Sequence, residues 1–165
     1  DGGQRDVPHH AHHGRQAQGA LLRGSGGRVY PQARGLLQIQ LIELPECRLP
    51  DDPNGTQIAA GLAREAEQIE AKLPRGAWFC VLTPEGTELS SEGLAERLQA
   101  EKLNGRSAAC FLIGSSFGID ARIKRMADFR LSFSKMTFPH HLMRVMALEQ
   151  LYRAESILAG TKYHK

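Results

Sequence analysis

An α/β fold, a mostly parallel sheet flanked by helices, is what this chain predicts, and three observations carry the prediction. Short apolar runs of strand length alternate with longer stretches whose apolar residues recur every three or four positions. The joins between them are rich in Pro, Gly, Asn and Ser. Residues 77–82 and 108–113 are apolar throughout, as strands of a helix-covered sheet are.

The first 38 residues stand apart. They hold HHAHH at positions 9–13, eight glycines and no periodic apolar pattern, the texture of a disordered tail, a metal-binding His tract or a basic arm. Globular texture begins at Ile39, where residues 38–44 alternate and then turn apolar, giving a strand. Residues 45–55 are loop. Asn54 and Thr56 offer cap oxygens, and Ile58, Leu62, Ala66, Ile69 and Leu73 form the inner face of a helix that stops before Pro74. Residues 77–82 are a buried strand and Thr83, Pro84, Glu85 and Gly86 its closing turn. Ser90 or Ser91 caps the next helix, with Leu94, Leu98 and Leu103 inward, and Asn104-Gly105 ends it. A buried strand over 108–113 is followed by the turn Gly114-Ser115-Ser116-Phe117-Gly118 and a short helix from about Asp120 to Met126.

Phe129, Leu131 and Phe133 then alternate with polar neighbours as a half-buried strand, and Leu142 to Ile157 run at helical spacing. Pro139 holds Phe138 out of helical geometry, so residues 134–139 should be an ordered extended loop whose backbone groups are free to bind a ligand. Ligands of such sheets bind beyond the carboxyl ends of strands. Three strand ends are therefore candidates: Leu82 with its turn, Gly114 with its Ser/Gly loop, and 133–138.

At 165 residues the chain suits one domain that needs neither disulfide nor metal to hold its core. A formal charge of +3 and a pI near 8.9 fit an RNA partner without requiring one. No apolar run reaches membrane-spanning length, and Cys80 and Cys110 lie in apolar runs as buried thiols, so a soluble protein of the reducing cytoplasm is expected.

Residues 114–118 fit G-x-S-x-G between strand and helix, which makes a serine hydrolase with Ser116 as nucleophile the alternative reading. Asp128 and Glu149 would be candidate acids, and His140, His141 and His164 candidate bases. No HGGG-type segment precedes the motif, and the G-x-G-x-x-G spacing of a dinucleotide site is absent. His140 and His141 lack spaced Cys or acidic partners and read as polar helix-start residues rather than metal ligands. Arg144 and Arg153, nine apart on one helix, are expected to project in similar directions and to bind phosphate or solvate that face.

FLIGSSFG at 111–118, LSSEGLAE at 89–96, LSFSKMTFPHHLMRVMALEQLYRA at 131–154 and the closing YHK together resemble the H-type pseudouridine N3-methyltransferases of the ribosomal large subunit, in the SPOUT superfamily. The resemblance spans about residues 39–165. It implies a sheet with a C-terminal trefoil knot, a homodimer, S-adenosylmethionine as cofactor, and ribosomal RNA in the ribosome as partner. By position it makes Leu82, Gly114, Phe133, Ser134, Lys135, Met136, Thr137 and Phe138 cofactor-binding. Arg144, Arg153, Tyr163 and His164 become the candidates for catalysis and substrate contact, with no metal. Two departures are local: Ser115 stands where the family has a second Gly, and Lys162 where it has Pro or Ala.

The third departure is the N-terminal segment, because the family opens with a strand leading into G-K-L-K-E and a helix that ends near Y-C-K. Codons for Arg15 to Ala20 read one base later permit G-K-L-K-E. The same frame permits Glu-Tyr at Arg28 to Tyr30 and Tyr-Cys-Lys at Leu36 to Ile39. Residues 1–38 are therefore expected to be an out-of-frame or disordered stretch, and 39–165 the methyltransferase domain. Read as written, the chain should lack its first strand and first helix, and a non-catalytic RNA- or ribosome-binding remnant is then a further alternative reading.

Overall fold

Alternation along two strands decides the layering. In a computed structural model, which describes residues 17–24 and 39–164, strands β1 (Ala17–Gly24), β2 (Ile39–Pro45), β3 (Trp78–Glu88), β4 (Ala109–Ile113) and β5 (Phe129–Ser132) form one sheet. Its order is β2-β1-β4-β3-β5. Trp78, Cys80 and Leu82 of β3, with Phe111 and Ile113 of β4, point to one face. Phe79 and Val81, with Cys110 and Leu112, point to the other. Helices α2 (Ser91–Leu103) and α4 (His140–Leu158) cover the first face with Leu94, Leu98, Ala147 and Leu151. Helices α1 (Gly55–Lys72) and α3 (Ala121–Met126) cover the second with Ala66, Ile69 and Ile123. Each fully buried Leu, Ile or Val contributes about 1.5–3 kcal/mol of hydrophobic stabilisation, so the two faces together are the principal source of order here.

The expected caps are present. Asn54 and Gln57 form a reciprocal capping box at α1, and the Ser90 hydroxyl accepts from Gly93 N–H at 3.0 Å at the start of α2. Strands β4, β3 and β5 pair in parallel, while β1 lies antiparallel between β2 and β4. The chain as written is expected to lack its first strand; the structure instead has one, Ala17–Gly24, inside the segment that the sequence sets apart, and HHAHH lies outside the described residues.

Three further expectations are corrected. Thr83 to Gly86 is no turn: β3 continues to Glu88, and Leu131 of β5 is paired with Leu82 on one side and with Thr87 on the other. The segment after Leu82 thus crosses β5 beside Arg130 and Leu131, and residues 87–88 run parallel to β5 as residues 80–82 do. A Cβ at Gly86 would lie 2.7 Å from Arg130 O, so this crossing needs a residue without a side chain. Leu103 is 82 % exposed rather than inward, because nine positions from the buried Leu94 are two and a half turns and put it on the opposite side of α2. Arg144 and Arg153 do not share a face. At 3.6 residues per turn, nine positions make two and a half turns and put them on opposite sides of α4. Arg144 reaches Glu43 of β2 at 2.8 Å, whereas Arg153 folds back on Glu149 of its own helix.

Candidate functional site

At the carboxyl ends of the three parallel strands the chain leaves a cleft of about 500 Å³, a size that accepts a nucleoside-sized ligand. Leu82, Thr83, Pro84 and Glu85 within β3 form one wall and residues 113–119 at and after the end of β4 a second. Phe133, Ser134, Met136, Thr137 and Phe138 form the third, and Pro139, His140 and Met143 at the head of α4 close it. The three strand ends anticipated from sequence therefore meet in one place. Of the eight residues expected at the cofactor, seven line the cleft; Lys135 belongs to the same loop but points away, exposed.

Each wall has a local cause. Gly114 lies where a Cβ would be 2.5 Å from Ile119 Cγ1 and 2.7 Å from Gly118 O, so only glycine lets β4 run into so tight a turn. The turn is clasped in both directions, Ser115 N–H donating to Gly118 O at 3.2 Å and Gly118 N–H to Ser115 O at 2.9 Å. Glu46, in the loop after β2, accepts Ser116 N–H at 3.0 Å and fixes the turn from outside. The 133–138 loop is extended as expected. Ser132 Oγ donates to Pro84 O and to Ser134 O, tying the first wall to the third. Among the described residues, Met136 N–H to Ser134 Oγ is the one hydrogen bond to a backbone donor of that loop. Its other main-chain donors face a ligand or solvent. The first N–H groups of α4 are also uncapped, since Pro139 supplies no side-chain acceptor.

Three titratable groups, Glu85, Lys124 and His140, border the cleft. Lys124 of α3 hydrogen-bonds Glu85 and holds its carboxyl down at about 2. Burial pulls the His140 imidazole below its ordinary value, against a smaller opposing pull from Glu46. Its ring meets that of His141 edge-on at 5.7 Å.

Arg144, Arg153 and Tyr163 do not line this cleft. Tyr163, in a 3-10 turn at Lys162–His164, donates to Glu149 Oε2 at 2.9 Å, lies under the Arg153 guanidinium at 5.0 Å and meets Tyr152 edge-on at 4.6 Å. The Glu149 carboxylate holds its phenol above the usual value. This cluster sits 13 residues beyond His140 along α4, roughly 20 Å at 1.5 Å per residue. His164 belongs to the same terminal turn by its backbone.

The constellation of the hydrolase reading does not assemble. Asp128 accepts Phe79 N–H at 2.8 Å and pairs with Arg106, and Glu149 is engaged by Arg153 and Tyr163, so neither acid orients a histidine toward Ser116. Sequence reasoning missed Glu46, Lys124 and Met143, which reach the cleft or its turn from remote elements and carry no local signature. Among the described residues no group of three His, Cys, Asp or Glu could hold a metal ion, and no helix is long and apolar enough to cross a membrane.

Comparison with known proteins agrees with this geometry. Residues 29–164 match the family described as predicted SPOUT methyltransferase. The ribosomal RNA large subunit methyltransferase H of Moorella thermoacetica is 41% identical over 138 residues, covering 84% of each chain. Its namesake in Acetivibrio thermocellus is 41% identical over 128 residues, 78% of this chain and 80% of the relative. That of Leuconostoc citreum is 39% identical over the same shares. With a family match across most of its length, relatives at this identity, and a cleft where three parallel strands end, the chain belongs to the SPOUT methyltransferase family and is a methyltransferase.

Proposed function

We propose that the chain transfers a methyl group from S-adenosylmethionine to N3 of a pseudouridine in large-subunit ribosomal RNA, acting on the ribosome in the cytoplasm. The observation that carries the donor half is the cleft, where apolar side chains from three strand ends meet the unengaged main-chain donors of the 134–138 loop. The lining suits this group: Leu82, Phe133 and Phe138 can cover a flat base, and the backbone at Gly114 and 134–138 can hydrogen-bond its polar edges. Bound there, it supplies an electrophilic methyl on a sulfonium. The relatives' names supply the RNA half.

The chain's own task is to position the pseudouridine and manage the N3 proton. Loss of that proton builds negative charge, which a fixed cation stabilises. Arg144, Arg153, Tyr163 and His164 are assigned to substrate contact and catalysis. Because Arg153 and Tyr163 do not line the cleft of their own chain, the reading includes a homodimer that brings them to the partner's cleft. The exposed apolar residues Leu142 and Val145, 46% and 61% accessible on α4, support such a pairing. The double pairing of β5 by β3 supports a trefoil knot closed by the passage of α4.

For the domain plan we propose that residues 39–165 make the methyltransferase domain and that residues 1–38 are read out of frame. The correction would replace the residues of β1 and leave everything from Ile39 unchanged. Nucleotide sequence lacking a compensating pair of indels relative to relatives would refute it. The function is tested by incubating ribosomes that lack the modification with methyl-labelled donor, alongside calorimetric titration of the donor and its demethylated product. Label in large-subunit RNA at a pseudouridine is expected. Donor binding without label transfer to RNA would overturn the substrate, and absence of donor binding would overturn the whole reading.

A further inference from the structure

Beside the donor cleft lies a second, polar groove of about 520 Å³, whose charged lining is Glu85, Lys124, Arg125, Asp128 and Arg130. Its acids are already satisfied. Lys124 holds Glu85, and Asp128 accepts Phe79 N–H and faces Arg106. Arg122, the neighbouring cation of α3, is engaged by Glu70 at 3.0 Å. Arg125 and Arg130 differ: both are exposed, and neither forms an ion pair among the described residues. They come from different elements, the last turn of α3 and the strand β5, yet line the same concave surface.

Two unengaged guanidiniums in one groove present planar donor forks that match phosphate oxygens. Phe129, which also lines the groove, is stacked on Trp78 and lies under Arg97, so it offers no free face to a base. The groove is built to hold a backbone rather than to read sequence. Its place identifies the backbone, because Glu85 and Lys124 line both groove and cleft. A strand with one nucleotide at the cleft mouth has its neighbouring phosphates within reach of the groove. Resting on the methyltransferase reading above, we infer that Arg125 and Arg130 bind phosphates of the RNA substrate beside the nucleotide to be methylated. The Glu85–Lys124 pair forms the partition between donor and backbone.

The test compares Arg125→Ala/Arg130→Ala with a charge-matched pair that does not line the groove, Arg64→Ala/Arg75→Ala, both exposed at or after α1. Binding to purified unmodified ribosomes is measured from about 50 to 200 mM salt, and donor affinity by calorimetry. The groove pair should weaken ribosome binding roughly tenfold per arginine and flatten the log–log salt slope by about 1 to 2. Donor affinity should not move, and the control pair should change ribosome binding less than about threefold. A groove pair that binds ribosomes like wild type, or a control pair that loses as much, overturns the inference. Wild-type protein that binds ribosomes through these arginines but takes no donor would instead sink the methyltransferase reading and leave the groove in place.

Discussion

Gly114→Ala tests the cleft most directly. The added methyl would lie 2.7 Å from Gly118 O and 2.5 Å from Ile119 Cγ1, and ordinary contact begins at 3.4 Å, so the backbone oxygen must retreat by about 0.7 Å. Ile119 Cγ1 branches directly from Cβ and moves only with a change of χ1, and Gly118 O cannot move without opening the two hydrogen bonds that clasp the turn. Overpacking of this kind costs about 1–3 kcal/mol. At this chain length that corresponds to a fall in Tm of roughly 2–4 °C per kcal/mol. The displaced turn is also the second wall of the cleft, and misplacement approaching 1 Å costs up to about a hundredfold where alignment matters. Calorimetric titration of S-adenosylmethionine should therefore show affinity down by roughly ten- to a hundredfold, with far-UV circular dichroism unchanged. A variant that keeps wild-type donor affinity and Tm would refute both the crowding argument and the assignment of this wall to the donor.

Other outcomes follow from the same geometry. Glu46→Ala removes the acceptor for Ser116 N–H and should raise the donor KM several-fold, roughly the 1 kcal/mol of one hydrogen bond. Glu46→Gln keeps an acceptor oxygen and should restore it, so equal KM values for the two variants would count against the clasp. Ser116→Ala should leave methyl transfer near wild type and an active-serine probe should label neither protein; loss of turnover with donor affinity intact would revive the hydrolase reading. Glu85 is held at about 2 by Lys124, below its ordinary 4.5, so its pairing stabilises the fold fully above 4.5 and fades as pH falls toward 2. The stability gap between wild type and Glu85→Gln, followed by urea unfolding at stepped pH, should close over that window, and a gap independent of pH would refute the pairing. Val145→Asp places a charge on the exposed apolar stripe of α4 and should convert a dimer to monomer in analytical ultracentrifugation; an unchanged dimer would move the interface elsewhere.

What was legible in the sequence follows the range of the forces involved. Asn54 with Gln57 and Ser90 with Gly93 are caps closed within three residues, so those helix starts could be read from neighbours alone. The apolar runs at Trp78 and Phe111 marked buried strands because no solvated side chain interrupts them. The loop at 133–138 was legible through Pro139, which bars Phe138 from helix whatever lies around it. Glu46 was invisible for the opposite reason: its acceptor role spans 70 positions to Ser116. Nothing in a proline-bounded loop distinguishes a clasping carboxylate from a solvated one. Leu103 misled because apolar character alone does not make a residue inward: nine positions from Leu94 put it on the opposite side of α2.

The misread turn after Leu82 carries the deeper lesson about how this fold makes its site. Thr83, Pro84, Glu85 and Gly86 have the composition of a reversal, and in an ordinary sheet they would return the chain to a helix. Here β5 arrives between the two halves of β3, and the same four residues are drawn extended across it, with Ser132 Oγ bonded to Pro84 O and Gly86 against the Arg130 carbonyl. That crossing holds the first and third walls of the cleft together through main-chain atoms rather than through side-chain packing. Loops are ordinarily the mobile parts of a fold. Threading one strand between two segments of another makes these loops as fixed as the sheet, which is what a site that grips its ligand by backbone groups requires.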